Sequence, residues 1–302
     1  MEMLKDDVNL LYRLTVRNIK IFVKDKAALF FSFMGPLIVL LLYILFLGQM
    51  QLSGLEEAIP QGIAVDKSLL KGFIDSWMIA GLLGYACITI SLSANTIIVQ
   101  DKANGVLNDV TIAPVKKWII TFSYFIYNFI ITTIMVVLVL IICLVYLAIS
   151  GGWYISVGDV FGILGTVVLS TLSATLITVM ICNLLKTQAQ HGAFMGIASS
   201  VIGFLIGAYM PISLMPKGAQ YISAILPGSY SSGMFRTFLM RGSLDKLASQ
   251  LPTQLIDAIK DSFVMEINMF GKMVGVGVMT LVLVGSIIVF FLANLFIAKL
   301  KK

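Results

Sequence analysis

Six apolar segments, separated by polar stretches, dominate the chain. They cover residues 28–49, 73–99, 118–149, 159–183, 191–210 and 273–298. Each is close to or above the roughly 20 residues that a helix needs to cross about 30 Å of hydrocarbon. Backbone groups inside lipid must bond within their own helix. The pattern therefore predicts an all-α membrane protein with six transmembrane helices.

Residues 1–27 follow a different pattern, in which a helix would have one apolar face and one basic face. The apolar face holds Val8, Leu11, Tyr12, Thr15, Ile19, Phe22 and Val23, and the basic face holds Arg13, Arg17, Lys20 and Lys24. This pattern predicts an amphipathic helix at the membrane interface, with its cations toward anionic headgroups. The alternative is a solvated helix that packs on nothing.

Composition and charge support this topology and give it an orientation. Hydrophobic residues make up 59% of the chain, charged residues make up 12%, and the mean hydropathy is +1.00, which is far from ordinary soluble usage. An even number of spans puts both termini on one side. That side holds 13 Lys and Arg against 8 on the other, so the termini are expected in the cytoplasm. Trp77, Trp118 and Trp153 lie near predicted helix ends, where we expect them to anchor at headgroup level.

The polar stretch at residues 100–117 joins the second and third apolar segments on the cytoplasmic side. Its middle carries apolar residues, and Pro114 is expected to end a short helix there. Such a pattern is typical of an element that docks on a cytoplasmic partner. A plain connector between two membrane helices has the same composition, so the residues alone leave both interpretations open.

The stretch at residues 211–272 is interrupted by Pro211, Pro216 and Pro227 but is too apolar for a solvated loop. Broken backbone at membrane depth is tolerated only where protein or a water-filled cavity satisfies its polar groups, so we expect a re-entrant element. Arg236, in an apolar setting, is either a functional cation or one that extends to the headgroups. Residues 243–272 are interpreted as an exposed, partly helical external segment.

Small and polar residues inside the apolar segments suggest packing sites and a pathway. Glycine pairs at four-residue spacing allow close helix contacts, which makes Gly196, Gly203 and Gly207 candidates for a dimer seam. A contact within one chain explains them equally well. Ser91 and Asn95 belong to a polar run that would line a pathway, although Ser and Thr also bond their own helix backbone.

Several kinds of chemistry are excluded by the sequence. It contains no G-x-x-x-x-G-K-[ST] phosphate loop, no H-E-x-x-H pair and no G-x-S-x-G nucleophile elbow. The single histidine, His191, is given an ordinary interfacial role. Cys87, Cys143 and Cys182 lie in apolar runs and are expected to pack as small apolar residues. We therefore expect no catalytic residue, no metal and no cofactor on this chain.

Two motifs resemble those of ABC-2 type transporter permeases. Asp101, Lys102, Gly105 and Pro114 match the coupling loop of that family, and Pro211 to Pro216, Ile225 to Gly228 and Phe235-Arg236 match its extracellular re-entrant helix pair. With the basic N-terminal helix, the resemblance spans essentially the whole chain. It implies a cytoplasmic connecting helix at 1–27, a transmembrane domain at 28–302, and a pathway between two copies.

The resemblance also implies partners and roles for residues. We expect a homodimer, or a heterodimer with a related permease, in a bacterial cell membrane. The dimer is expected to bind two copies of a separate ATPase, which carries ATP and magnesium. Membrane lipids are expected as further partners, and nucleic acid is not. Coupling is assigned to Asp101, Lys102, Gly105, Leu107, Pro114, Arg17 and Lys20, and the pathway or gate to Ser91, Asn95, Pro211, Pro216, Pro227 and Arg236. The expected function is export of an amphiphilic drug, antimicrobial peptide or lipid-like molecule. Polysaccharide or glycolipid export, an ion-gradient-driven transporter and a non-transporting sensor are the alternatives.

Overall fold

The computed structural model of the protein describes residues 2–60, 63, 65–106, 115–264 and 274–300, and every regular element in these ranges is helical. Short π-helical turns lie at Tyr43–Leu47 and Lys260–Val264, and a 3-10 turn lies at Ile212–Leu214. The α-helices are α1 (Glu2–Lys24), α2 (Lys26–Leu42), α3 (Gly48–Ala58), α4 (Lys67–Ala94), α5 (Thr96–Ala103), α6 (Lys117–Ile149), α7 (Val157–Leu184), α8 (Gln188–Leu205), α9 (Lys217–Ile225), α10 (Pro227–Ala248), α11 (Thr253–Ile259) and α12 (Val276–Leu300).

Five helical segments of the described chain are long and apolar enough to cross a membrane. They are Lys26–Ala58, Lys67–Ala103, Trp118–Ile149, Val157–Leu184 and Val276–Ile297. The predicted span at 191–210 corresponds to α8, which has only 18 residues and begins with the polar run Gln188 to His191. Its apolar part is therefore short, and the sixth span stays a prediction.

Helix α4 is the centre of the bundle. It packs against α2, α6, α7 and α10, and 89% of its most apolar stretch is buried, against 17% for α12. A helix that is apolar all round and enclosed by other helices is a core helix, whereas a peripheral apolar helix is left for lipid to cover. We call the end of the bundle that carries α1, α5 and the turn at 185–187 the basal end. The distal end carries residues 150–156, the 3-10 turn and α9.

Helix α1 is amphipathic as predicted, but only part of its apolar face packs against the protein, and the rest is exposed. Thr15, Asn18 and Phe22 are buried against α6, where the Phe22 and Tyr127 rings meet edge to face at 6.1 Å. Tyr12, also on the predicted apolar face, stays exposed, as do Val8 and Val23. The alternative of a helix that packs on nothing is wrong.

The described part of the proline-interrupted region, residues 211–264, is largely helical and partly buried. Pro227 occupies the first turn of α10, where a missing N–H costs nothing, so it starts a helix rather than breaking one. Helix α10 is 22 residues long and packs on α4 and α7, and the re-entrant pair stays a prediction. Ser243 and Leu247 are fully buried, so the expected exposed segment at 243–272 begins as part of the core. Residues 265–273 lie outside the described ranges.

Candidate functional site

An ion pair joins α1 to α5 at the basal end. The Arg17 guanidinium donates to both oxygens of Asp101, at 2.6 and 2.9 Å, and the Tyr124 hydroxyl of α6 donates to Asp101 Oδ2 at 2.5 Å. The hydrogen bonds to Asp101 raise the pKa of Arg17 above its usual value. A two-pronged Arg–carboxylate pair fixes orientation as well as distance. Three helices are thereby locked at one carboxylate.

Helix α1 makes a second attachment beside this pair. The Asn18 side chain is fully buried, accepts from Arg17 Nη1 at 2.9 Å and donates to Ser123 Oγ of α6 at 3.5 Å. Nearer the chain start, Lys116 pairs with Asp7. The helix is therefore held to α6 along several turns, and any displacement of α1 must be passed to that span.

Lys102 holds the basal end of α7. Its ammonium group donates to the carbonyl oxygens of Cys182, Asn183 and Leu185, at 2.8, 2.8 and 3.1 Å. The last carbonyls of a helix have no partner in the helix itself and carry its negative dipole end, so a cation there is stabilising. Lys102 thus connects the second predicted span to the fourth.

The remaining coupling candidates divide into exposed and undescribed residues. Gly105 adopts a left-handed φ of 75°, which favours glycine, just after α5 ends. Leu107 and Pro114 lie outside the described residues. Lys20 is exposed on α1 and lines a shallow groove of about 410 Å³ together with Tyr12, Arg13, Val16, Arg17, Ile21 and Lys24. Asp101 and Lys102 point into the protein, whereas this groove points out of it.

The two pathway candidates in the second span lie inside a packed polar network. Ser91 Oγ donates to Asn128 Oδ1 at 2.8 Å, and Asn95 Nδ2 donates to Thr178 Oγ1 at 2.8 Å. Thr132 and Thr175 also donate to Asn128 Oδ1. Ser91 and Asn95 are fully buried. In this conformation their side chains join α4, α6 and α7, which is how polar groups stabilise helix contacts in lipid.

Arg236 lies buried at the distal end, 4% exposed. Its Nη2 donates to the Gly207 carbonyl at 2.6 Å, and its guanidinium carbon is 5.4 Å from the centre of the Trp77 ring. It makes no salt bridge with an acidic residue in the described part of the chain. The expectation that Trp77 anchors at headgroup level is wrong, because it is fully buried against Arg236 and Phe263.

The three prolines predicted as gate candidates each precede or begin a helical element. Pro211 is buried and precedes the 3-10 turn, and Pro216 caps the start of α9 and is exposed. Pro227 begins α10. Gly228, which follows Pro227, lies against Ile88 of α4, so the start of α10 is packed on the core helix.

Two of the three glycines predicted to form a dimer seam have partners within the chain. A Cβ on Gly203 would meet the Tyr209 ring at 2.2 Å, and Gly207 has a φ of +71° with Arg236 and Ile212 beside it. A Cβ on Gly196 would meet nothing within 4 Å. Of the three, only Gly196 lies on an open face, next to the exposed residues Ala193, Ile197 and Ser200.

Sequence reasoning passed over two buried acids, Asp75 and Asp159, each 2% exposed, of which Asp159 belongs to the capping box that starts α7. Asp75 of α4 is 2% exposed, accepts from Ser150 Oγ at 3.1 Å, and lies near Tyr146, whose hydroxyl is 3.4 Å from Oδ1. The neighbours of Asp75 come from α6 and from the turn after α6, so no motif close to Asp75 in the sequence predicts these contacts. A carboxylate inside an apolar segment was itself the available signal, because such groups are costly in a membrane.

The comparisons with known proteins agree with this architecture. A search of the curated proteins finds no match. The family model described as ABC-2 type transporter matches residues 9–240, which include most of α1, the ion pair at Asp101 and Arg236. Members of that family are membrane permeases that generally pair with a cytoplasmic ABC ATPase. Because the match covers most of its 302 residues, the chain belongs to the ABC-2 type transporter family.

Proposed function

We propose that this chain is the permease subunit of an ATP-driven exporter in a bacterial cell membrane, with its basal end and both termini in the cytoplasm. The observation that carries the proposal is the ion-paired junction of Arg17, Asp101 and Tyr124. It joins the N-terminal helix to two membrane segments. A force applied to α1 or to the turn after α5 would therefore move α4 and α6 together.

In this proposal the ATPase docks on the exposed basic groove of α1 and on the turn around Gly105. Arg13, Lys20 and Lys24 face outward there, while Asp101 and Lys102 hold the surface in place from behind. ATP and magnesium belong to the ATPase, of which two copies serve a pair of permeases. The pair is formed by a second copy of this chain or by a related permease, and closure of the ATPases drives a hinge or shear motion of the spans.

The test is co-purification with the ATPase encoded nearest to this gene. The double variant Arg13→Glu/Lys20→Glu reverses two exposed charges and is expected to weaken the complex about tenfold or more, because like charges at an interface repel. Lys217→Glu, an exposed cation at the distal end, is the matched control and should leave binding unchanged. Equal binding by all three chains would place the ATPase elsewhere. A wild-type chain that binds no ATPase would overturn the proposal.

The proposed cargo is an amphiphilic drug, antimicrobial peptide or lipid-like molecule. Support comes from the described helices, whose surfaces and interior are mainly apolar with only small hydroxyl clusters. Polysaccharide or glycolipid export would need a long polar surface for hydroxyl groups. Efflux of a fluorescent amphiphile from vesicles that contain permease, ATPase and ATP tests this choice directly.

Asp75 favours a second candidate, a transporter driven by an ion gradient. Buried carboxylates in membrane segments mark many ion and proton sites. Transport that runs on a gradient without ATPase, and that is abolished in Asp75→Asn, would support this candidate. Transport that needs ATP and survives Asp75→Asn would leave Asp75 as a structural acceptor for Ser150 and Tyr146.

A further inference from the structure

A cavity of about 150 Å³ lies near the middle of the bundle. Its walls come from α4, α7, α8 and the first turns of α10. Among the residues that line it are Cys87, Ser170, Ala174, Ile177, Phe194 and Ile202. We call it the mid-bundle cavity. It is separate from Asn128 and from Arg236, neither of which lines it.

The cavity exists because two consecutive helices diverge. Helices α7 and α8 are joined by the short turn at 185–187, and Thr187 and Gln190 form a capping box that starts α8 in a new direction. Each helix packs on α4, but they hardly touch each other. Ile177, Phe194 and Ile202, which face the gap between them, are only partly buried. The gap therefore opens sideways, toward the hydrocarbon of the membrane.

One polar side chain among the residues that line this cavity has no hydrogen-bond partner among the described residues. Ser170 is 1% exposed, and its hydroxyl oxygen makes no hydrogen bond in the described structure. Thr166 and Thr171 on the same helix each donate to a carbonyl of the preceding turn. A buried hydroxyl without a partner is destabilising, and a ligand that supplies the partner recovers that cost.

We propose that the mid-bundle cavity binds a compact, uncharged amphiphile of about the size of one aromatic ring, which enters from the membrane and pairs its hydroxyl or carbonyl group with Ser170. A dry cavity near 150 Å³ is known to hold benzene. Among the described residues, no Asp, Glu, Lys, Arg or His lines this one, so a charged group would be buried without a counter-ion. The site deepens the proposed export function, on which its role as a cargo entry site rests.

Photolabelling of the chain in lipid nanodiscs, without ATPase, tests the site. Two reagents are used: a phenyl trifluoromethyl diazirine and its derivative with a benzylic hydroxyl group. We expect the hydroxyl reagent to label the part of α7 around Ser170 to Thr178 more strongly than the plain reagent. Ser170→Ala should lower labelling by the hydroxyl reagent about fivefold to tenfold, the worth of one hydrogen bond, and leave the plain reagent nearly unchanged.

Two controls separate binding from folding. Thr166→Val, one turn away and outside the cavity, should label like wild type. Ala174→Phe fills the cavity and should remove labelling by both reagents. Equal labelling by both reagents, with no effect of Ser170→Ala, would indicate a site for plain hydrocarbon such as a lipid tail and would overturn the proposal. Absence of label on α7 would also overturn it, while leaving ATPase binding, measured separately, to decide the exporter.

Discussion

At each end of the bundle a cationic side chain binds backbone carbonyls at the end of a helix, but the two cations have different neighbours. At the basal end, Lys102 caps α7 next to the Arg17–Asp101 pair, and its side chain stays partly exposed. At the distal end, Arg236 bonds the Gly207 carbonyl beyond α8 with the Trp77 ring at its side, and it is buried.

The contrast indicates different mechanical roles. Charges of both signs near water can separate and re-form at modest cost, so the basal end is suited to transmit a movement. A buried arginine without an acidic partner depends on its carbonyl and aromatic neighbours, because a guanidinium that stays buried after losing them has nothing to compensate its lost hydration. The distal end is therefore held by shape, and the basal end by charge pairing.

Gly207→Ala should have the largest effect on stability. The left-handed φ costs an alanine about 1–2 kcal/mol, and its Cβ would lie 2.7 Å from Arg236 Nη2 and 2.9 Å from Ile212. We expect a total loss of about 3 kcal/mol in unfolding free energy, since the buried guanidinium also loses its place. Gly151→Ala, with φ +78° and nothing within 4 Å, should show only the backbone cost. Unfolding in mixed micelles measures both, and equal losses would contradict a distal end held by shape.

Asp101→Asn should cost about 2 kcal/mol, since an amide cannot accept the two-pronged bond from Arg17 and a partly buried cation loses its counter-ion. The expected cost is no larger because the Arg17 side chain is 35% exposed, so water partly screens its charge. The same unfolding assay, repeated in Arg17→Met and in the double variant, gives the coupling between the two residues. Additive losses would mean that the pair does not hold the basal end.

Lys102→Met should cost about 1 kcal/mol, because three carbonyls at the end of α7 lose a charged donor. Lys20→Met removes an exposed cation of the same helix-rich basal end and serves as the control. We expect Lys20→Met to leave the unfolding midpoint within error of wild type. If both variants unfold alike, the cap on α7 contributes nothing measurable.

Lys116→Ala should have the smallest effect, about 0.5 kcal/mol or less, because Lys116 is half exposed in its pair with Asp7. Salt sharpens this prediction: raising ionic strength should remove the difference from wild type, while the Gly207→Ala loss should stay. A salt-independent loss in Lys116→Ala would show that its stem, and not its charge, is what stabilises α1.

The helical class and the amphipathic first helix followed from periodicity, but burial on each face did not. In α1 the pattern of Thr15, Phe22 and Val23 predicts one apolar face, and only packing on α6 separates the buried Phe22 from the exposed Val23. The expectation for Trp77 fails for the same reason, and Asp75 was passed over for it as well. Both residues lie near the start of an apolar segment, which suggests the membrane–water interface. In the structure other helices enclose this part of α4, and the sequence around the two residues does not indicate this enclosure.

For the candidate site residues, the sequence identified several residues that make polar contacts, but it did not identify the partners in those contacts. Asp101, Lys102 and Arg236 were singled out by motif, and each makes long-range polar contacts. Their partners, the Arg17 guanidinium and the carbonyls of α7 and of Gly207, lie 29 to 84 positions away along the chain. Gly203 and Gly207 are four residues apart, a spacing that fits a seam between two chains. In the structure Gly203 instead packs against Tyr209, and Gly207 packs against Arg236, within one chain.

The sequence by itself determined that this protein is an all-α membrane protein with a basic amphipathic helix at its start, because hydropathy and helical period are local properties of the chain. Only the tertiary structure decided which apolar faces meet protein and which meet lipid, and which charges are paired. It also decided where α7 and α8 diverge to leave a cavity beside Ser170, whose hydroxyl has no partner in the described part of the chain. These depend on contacts between distant segments, and in a chain that is apolar nearly throughout, hydrophobicity cannot tell one buried face from another.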